Sequence, residues 1–150
     1  MFADYNVDNF PLVYVTFSEK IDSEDDFDKF LDDWLKLYID NVDFYFIFDT
    51  RLTRDINIKY CIKMALFIKK LKKVEYHYLQ KSLILVNTNL IKNLLDFIFV
   101  MQSPVAPVYI WETDESNNEV IRQKCSEITP MNMGENIVFI EPHKSFIPFL

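Results

Sequence analysis

Four short apolar runs alternate with helical patterns along this chain, and this alternation restricts the fold more than any other feature. The runs cover residues 13–17, 44–48, 82–86 and 108–111 and consist largely of β-branched, aliphatic and aromatic residues, which favour strands. Strands that alternate with helices over short connections form parallel neighbours joined by right-handed crossovers. The sequence therefore predicts an α/β fold with an open parallel or mixed sheet of four to five strands and about four helices.

Capping residues and the spacing of apolar residues place the helices. The predicted helices begin after Ser23, near Asp55, at Thr88 or Asn89 and near Ser116. The first is the clearest, because Phe27, Phe30 and Trp34 recur on one face, which we expect to be buried. Residues 136–140 are predicted to form a short strand. Residues 1–11 form a turn-rich lead-in, of which 1–5 can add an edge strand.

Length and composition suit a single domain over residues 1–150. Half of the 150 residues are apolar, which is enough for a sizeable core without metals or disulfides. No Gly-rich linker or internal repeat divides the chain. The core is predicted over about 11–128, and 129–150 is expected to be a C-terminal extension whose apolar end, 145–150, docks on the body.

The residue types argue against several classes of site. Cys61 and Cys125 have no second cysteine or histidine at ligand spacing, so we expect reduced thiols and neither a metal nor a cofactor. Gly134 is the only glycine, which excludes a P-loop and a dinucleotide-binding fingerprint. His77 and His143 stand near no nucleophile or carboxylate constellation. We therefore expect no catalytic residues and no enzyme.

No segment reads as a secretory leader or a membrane span. The N-terminus lacks a basic region followed by an apolar one, and the apolar stretch 94–101 is short and contains Asp96. We expect a soluble, cytoplasmic protein. The frequent Asn, Ile, Lys, Phe and Tyr residues indicate AT-rich coding DNA, and for a viral genome the expected location is the host cytoplasm or the virion.

Polar residues follow three of the predicted strands, where ligands bind in open parallel sheets. The candidate ligand or anion contacts are Asp49, Thr50, Arg51, Arg54, Asn87 and Thr88. Arg51 and Arg54 can hold a phosphate or carboxylate near the start of the second helix. The alternative is that these residues only form turns, N-caps and surface ion pairs, for example with Asp49 or Asp55.

Charge is unevenly distributed along the chain. Residues 1–50 carry a net charge of −10, residues 51–81 carry +7 and residues 82–150 carry −4. Lysines dominate the outer side of the second helix, and the candidate partner surface comprises Lys69, Lys70, Lys72 and Lys73. The acidic total and the lack of interleaved aromatic residues argue against nucleic acid. We expect the acidic face of the first helix, with Asp25, Asp28, Asp32 and Asp33, to border the lysines of the second helix.

The order of elements over 11–128 resembles the STAS superfamily, especially its SpoIIAA-like branch. The resemblance rests on the segments PLVYVTFSEKIDSEDDFDKFLDDW, FYFIFDTRLTRD, KSLILVNTNLIKNLLDFIF and SPVAPVYIWETDE. It implies a sheet packed with helices that usually serves as an interaction or regulatory module without catalysis; some relatives resemble the CRAL-TRIO lipid-exchange fold. The sporulation-type antagonists carry a phosphorylatable serine where this chain has 55–58, which lacks serine. The nearby Thr50 and Thr53 can be modified, but their spacing does not require it.

Two classes of function follow. The favoured one is a non-enzymatic STAS-like module that binds another protein in a regulatory, scaffolding or assembly role, with a homo-oligomer left open. The alternative is a small-ligand or lipid-binding domain that uses the carboxyl ends of the strands. A cavity of several hundred Å³ would favour a ligand, because ligand pockets are typically ~300 Å³ or more, whereas a filled core with an exposed apolar patch would favour a partner.

Overall fold

A mixed sheet lies between two layers of helices in the computed structural model, which describes residues 1–74 and 77–143. Within these residues the strands are β1 (Ala3–Asn6), β2 (Leu12–Phe17), β3 (Phe44–Asp49), β4 (Leu79–Val86), β5 (Val108–Glu112) and β6 (Ile137–Ile140). The helices are α1 (Glu24–Lys36), α2 (Ile58–Leu71), α3 (Asn89–Met101) and α4 (Asn118–Glu127). The predicted α/β class is confirmed. The apolar end at 145–150 lies outside the described residues.

The sheet has six strands, not the four to five expected. Strands β2 to β5 are parallel, whereas β1 and β6 are antiparallel to their neighbours at the two edges. The sequence leaves β1 ambiguous because this four-residue strand contains Asp4 and Asn6, residue types that are depleted in strands. Pairing with β2 stabilises it, with Ala3 opposite Phe17.

Helix starts follow the expected capping chemistry. The Ser23 hydroxyl accepts a hydrogen bond from the Asp26 backbone, and the Thr88 hydroxyl accepts one from Ile91, so both predicted caps are confirmed. Helix α2 begins later than predicted because Asn57 is its cap, while Asp55 forms an isolated bridge with Lys20. Its last helical residue is Leu71.

The two faces of the sheet bury different sets of side chains. Helices α1, α2 and α3 connect sequential parallel strands and share one core on one face of the sheet, here called the three-helix face. There Trp34 is buried as predicted and packs on Phe46 and Phe48, with ring centroids 4.9 and 5.5 Å away. Helix α4 connects β5 to an antiparallel strand and covers the opposite face, where Ile121 packs with Ile47.

No helix within the described residues is long and apolar enough to cross a membrane.

Candidate functional site

A polar groove of about 400 Å³ lies on the α4 side of the sheet. The core residues of α4 pack with side chains of β3, β4 and β5, and beside that cluster the polar side chains of β1 and β2 line the groove. Its charged and polar lining includes Asp4, Asn6, Tyr14, Asp49, Arg51 and Arg122. The volume falls within the range of about 300–1,000 Å³ that small-molecule sites occupy.

Asp49 and Arg51 form the centre of this groove. Arg51 Nε lies 2.9 Å from Asp49 Oδ1 and Arg51 Nη2 lies 3.0 Å from Oδ2, so the contact is bidentate. Arg51 Nη1 donates to the carbonyl of Glu115 at 2.6 Å, and the Tyr14 hydroxyl donates to Asp49 Oδ2 at 2.9 Å. The structure therefore shows the ion pair with Asp49 that the sequence offers as an alternative to anion binding by Arg51.

The electrostatics keep this pair ionised. Burial raises the pKa of the Asp49 carboxyl, but hydrogen bonds from Arg51 and Tyr14 outweigh burial and hold the pKa below its usual value. Burial, followed by the nearby Asp49 charge, raises the pKa of Tyr14 to about 12. Tyr14 thus remains a protonated donor, and the arrangement is well suited to fixing loops in place.

The other strand-end candidates are dispersed. The Thr50 hydroxyl donates to the Leu85 carbonyl at 2.7 Å, and Thr88 caps α3. Arg54 is highly exposed and its Nε lies 3.8 Å from a Glu19 carboxylate oxygen, while Asn87 is exposed. Of the six candidates, the structure brings only Asp49 and Arg51 together in the polar groove.

The sequence analysis does not predict two of the residues that line this groove. Tyr14 lies on β2 and Arg122 on α4, both far along the chain from Asp49. The sequence contains one indication of the position of Tyr14. In the period-two pattern of β2, Tyr14 alternates with the buried Val13 and Val15. It indicates that Tyr14 faces away from the three helices, but not what meets it there.

The predicted meeting of acidic and basic helices is confirmed for the first half of α2. Lys59 Nζ lies 3.1 Å from a Glu24 carboxylate oxygen, and Lys63 Nζ lies 3.1 Å from Asp28. A hydrogen bond from Lys59 is the main reason that the pKa of Glu24 lies below its usual value. Further along, Lys69, Lys70 and Lys73 form no ion pair with any described residue.

Lys72 does not share the surface of those three lysines. Its Nζ donates to Gln102 Oε1 at 3.0 Å, to the Ser103 hydroxyl and to the His143 carbonyl at 3.1 Å. All three acceptors are neutral oxygens. Burial therefore lowers the pKa of Lys72, and the side chain joins the ends of α2 and α3 instead of extending the outer lysine row.

An apolar cleft of about 160 Å³ lies on the three-helix face, between α2, α3 and the sheet. Its lining includes Phe17, Phe48, Tyr60, Met64, Ile84 and Phe99, and almost all exposed lining atoms are apolar. Nine of the 13 residues of α3 are apolar, yet only Ile91 is buried. Helix α3 thus leaves space beneath it. The volume is below the ~300 Å³ lower bound of drug-sized sites.

Helix α2 also presents apolar side chains to solvent. Ile58, Ile62 and Leu66 follow one another at four-residue steps and are 53%, 44% and 52% exposed. Residues at this spacing are neighbours on a helix surface, about 5–6 Å apart. We call these three residues the α2 stripe. On α3, Leu90, Phe97 and Val100 are exposed as well.

No cluster of three or more His, Cys, Asp or Glu side chains that could hold a metal ion occurs in 1–74 and 77–143. Cys61 and Cys125 are buried and unpaired thiols. In comparisons with known proteins, no protein-family model, no curated protein and no solved structure matches this chain.

Proposed function

We propose that this chain is a non-enzymatic, STAS-like module that binds another protein through the outer face of α2. The observation that carries the proposal is the α2 stripe, three aliphatic side chains in a row on one exposed helix face. Scattered exposed apolar residues are common, whereas contiguous ones mark interaction sites. The role is regulatory, scaffolding or structural assembly.

The chemistry of the partner follows from what lies beside the stripe. Lys69, Lys70 and Lys73 continue along the outer side of α2 toward its end, and none of them has an ion pair among the described residues. A partner that presents acidic groups next to apolar side chains complements this surface. Such charges mainly speed up encounter and select the correct orientation.

The polar groove supports a structural role for its charged residues. The carboxylate of Asp49 and the guanidinium of Arg51 neutralise each other, and Arg51 also donates to a backbone carbonyl. Paired groups of this kind are typical of loop anchoring, since a general base or a nucleophile needs a free lone pair directed at a substrate. We therefore propose that the domain acts through its surfaces.

The proposal is tested by affinity purification of the tagged full chain from cells that produce it naturally, with bound proteins quantified by mass spectrometry. The test variant carries Ile62→Gln and Leu66→Gln. The matched control is Val120→Gln on α4, because Val120 is also a helical aliphatic residue and is 42% exposed.

We expect at least one protein to be retained by the wild type and by Val120→Gln, and lost by the double variant. Melting curves establish that all three proteins are folded. If every retained protein binds the double variant as well as it binds the wild type, the α2 stripe is not the interface and the proposal is wrong.

A further inference from the structure

The apolar cleft ends beside a cation that has no anionic partner among the described residues. Met64 and Ile68 on α2 line the cleft, and Lys72 follows four residues after Ile68, on the same side of the helix. Pro104, another lining residue, directly follows Ser103, whose hydroxyl accepts a hydrogen bond from Lys72. Lys72 does not itself line the cleft, but through Ser103 its ammonium group contacts the residue next to Pro104.

The lining of the cleft runs from one end of the parallel strands to the other. Its lining includes Thr50, just after β3, and reaches Leu79 and Pro104 near the amino ends of β4 and β5. Along α2, the lining residues Tyr60 to Ile68 span about 12 Å at 1.5 Å per residue. The volume of about 160 Å³ is close to that of an apolar cavity of about 150 Å³ known to bind benzene. Such a space fits a slender chain of few carbons.

We propose that the cleft binds the hydrocarbon chain of a medium-chain fatty acid and that Lys72 holds its carboxylate. The Lys72 ammonium has three donors, and all three now meet neutral oxygens. A carboxylate that replaces one of these acceptors forms a stronger contact, because the attraction between opposite charges is added to the hydrogen bond.

The polar groups at the far end of the cleft set the orientation of the chain. Thr50 donates its hydroxyl hydrogen to the Leu85 carbonyl, and Thr53 donates to the Ser18 carbonyl at 2.9 Å. Both hydroxyls are therefore engaged with backbone, and none of the described residues that line the cleft is charged. The methyl end of the ligand lies toward Thr50 and the carboxylate lies at Lys72.

This inference does not depend on the proposed protein interface, because the α2 stripe faces solvent on the opposite side of the helix. A ligand beneath α2 and a partner above it can be tested separately. Loss of one does not remove the argument for the other.

Trp34 provides a direct probe, because it lines the cleft while Trp111 packs with the cluster on the α4 face. In a Trp111→Phe background, Trp34 is the only tryptophan of the chain. Octanoic acid with a bromine at its methyl end is titrated into the full chain, and quenching of Trp34 fluorescence is followed. Octanol with the same bromine label is the neutral comparison.

We expect saturable quenching by the acid. Lys72→Gln should weaken acid binding about tenfold or more, since a hydrogen bond between charged groups is worth at least a factor of this size. Octanol binding should be unchanged in Lys72→Gln. The matched control, Lys73→Gln, removes an adjacent exposed lysine and should alter neither affinity.

Three results overturn the proposal. The first is quenching that does not saturate, and the second is acid binding that is the same in Lys72→Gln and in the wild type. The third uses Ala106→Leu, which places extra carbons in the cleft because Ala106 is a buried lining residue. A folded Ala106→Leu protein that still binds both probes at the original affinity would show that the ligand lies elsewhere.

Discussion

Arg51 forms a bidentate ion pair with Asp49, which lies two residues earlier in the chain, with N–O distances of 2.9 and 3.0 Å. The same guanidinium donates to the Glu115 carbonyl. One side chain thus ties the end of β3 to the segment between β5 and α4. The pair holds together two loops that follow the carboxyl ends of β3 and β5.

Replacing Asp49 by Asn should lower the free energy of unfolding by about 1–3 kcal/mol, the usual range for lost hydrogen bonds to charged groups. The measurement is urea unfolding at neutral pH, with the exposed Asp25→Asn on α1 as the control. Equal stability of Asp49→Asn and the wild type would show that the ion pair contributes nothing to folding.

The contribution of Asp49 should also depend on pH in a defined direction. The folded-state pKa of Asp49 lies below that of the unfolded chain, so its stabilisation is complete above the unfolded value of about 3.9. The stabilisation is lost as the pH falls through the folded-state pKa. The difference in stability between the wild type and Asp49→Asn should therefore shrink below about pH 4. A difference that stays constant into strong acid contradicts this assignment.

Trp34→Ala should cost about 3–5 kcal/mol, because it opens a large cavity among the aromatic rings of the three-helix face. Trp34 is 4% exposed and contacts Phe46, Phe48 and Phe67. The check is chemical denaturation monitored by circular dichroism. An unchanged unfolding midpoint would mean that the buried face of α1 is assigned wrongly.

Reversing the outer lysines of α2 should slow association with an acidic partner more than it speeds dissociation. The variant carries glutamate at Lys69, Lys70 and Lys73. Added salt should reduce the difference from the wild type, since the Debye length is about 8 Å at physiological ionic strength. Association kinetics at several salt concentrations test this with a partner identified by affinity purification.

A triple reversal at Lys20, Lys29 and Lys36 gives a matched control, because it changes the net charge equally at exposed lysines that lie before or on α1. Neither triple variant should unfold, since exposed ion pairs contribute only about 0–1 kcal/mol each. Equal slowing by both variants would indicate a general charge effect and not a lysine interface.

Both thiols should react slowly with a thiol reagent in the native protein. Cys125 is almost fully buried, and burial raises its pKa to about 11; burial also raises the pKa of Cys61. The reactive thiolate is therefore scarce, and the reagent lacks access. Labelling rates with and without denaturant test this, and rapid labelling of either cysteine in the native state would contradict it.

The central strands are predictable from sequence because parallel strands covered on both faces appear as continuous apolar runs. Strand β1 lacks such a run. Its stability depends on contacts distant in sequence, such as the Tyr5 hydroxyl, which donates to the Phe30 carbonyl at 2.7 Å. Pairing and packing of this kind carry no local signal, so the sequence offers β1 only as an optional edge strand over 1–5, and the structure shows its pairing with β2.

Some residues of the candidate sites can likewise be predicted from the sequence, and others cannot. Asp49 and Arg51 are close in sequence, so their ion pair can be anticipated, whereas Tyr14 and Arg122 reach the same groove only through the sheet register and the placement of α4. Lys72 belongs to a lysine-rich stretch by sequence, but α2 ends at Leu71 and directs it to Gln102. The lysine content of this stretch does not show at which residue the helix ends.

Strand order in this sheet is the same as strand order in the chain. During synthesis, each strand after β1 therefore emerges when its pairing partner already exists, and the sheet grows along one edge. No strand has to wait for a distant segment before it can form its hydrogen bonds. The last strand, β6, covers the far edge in the antiparallel sense, so every pairing in the sheet joins a strand to the one synthesised just before it.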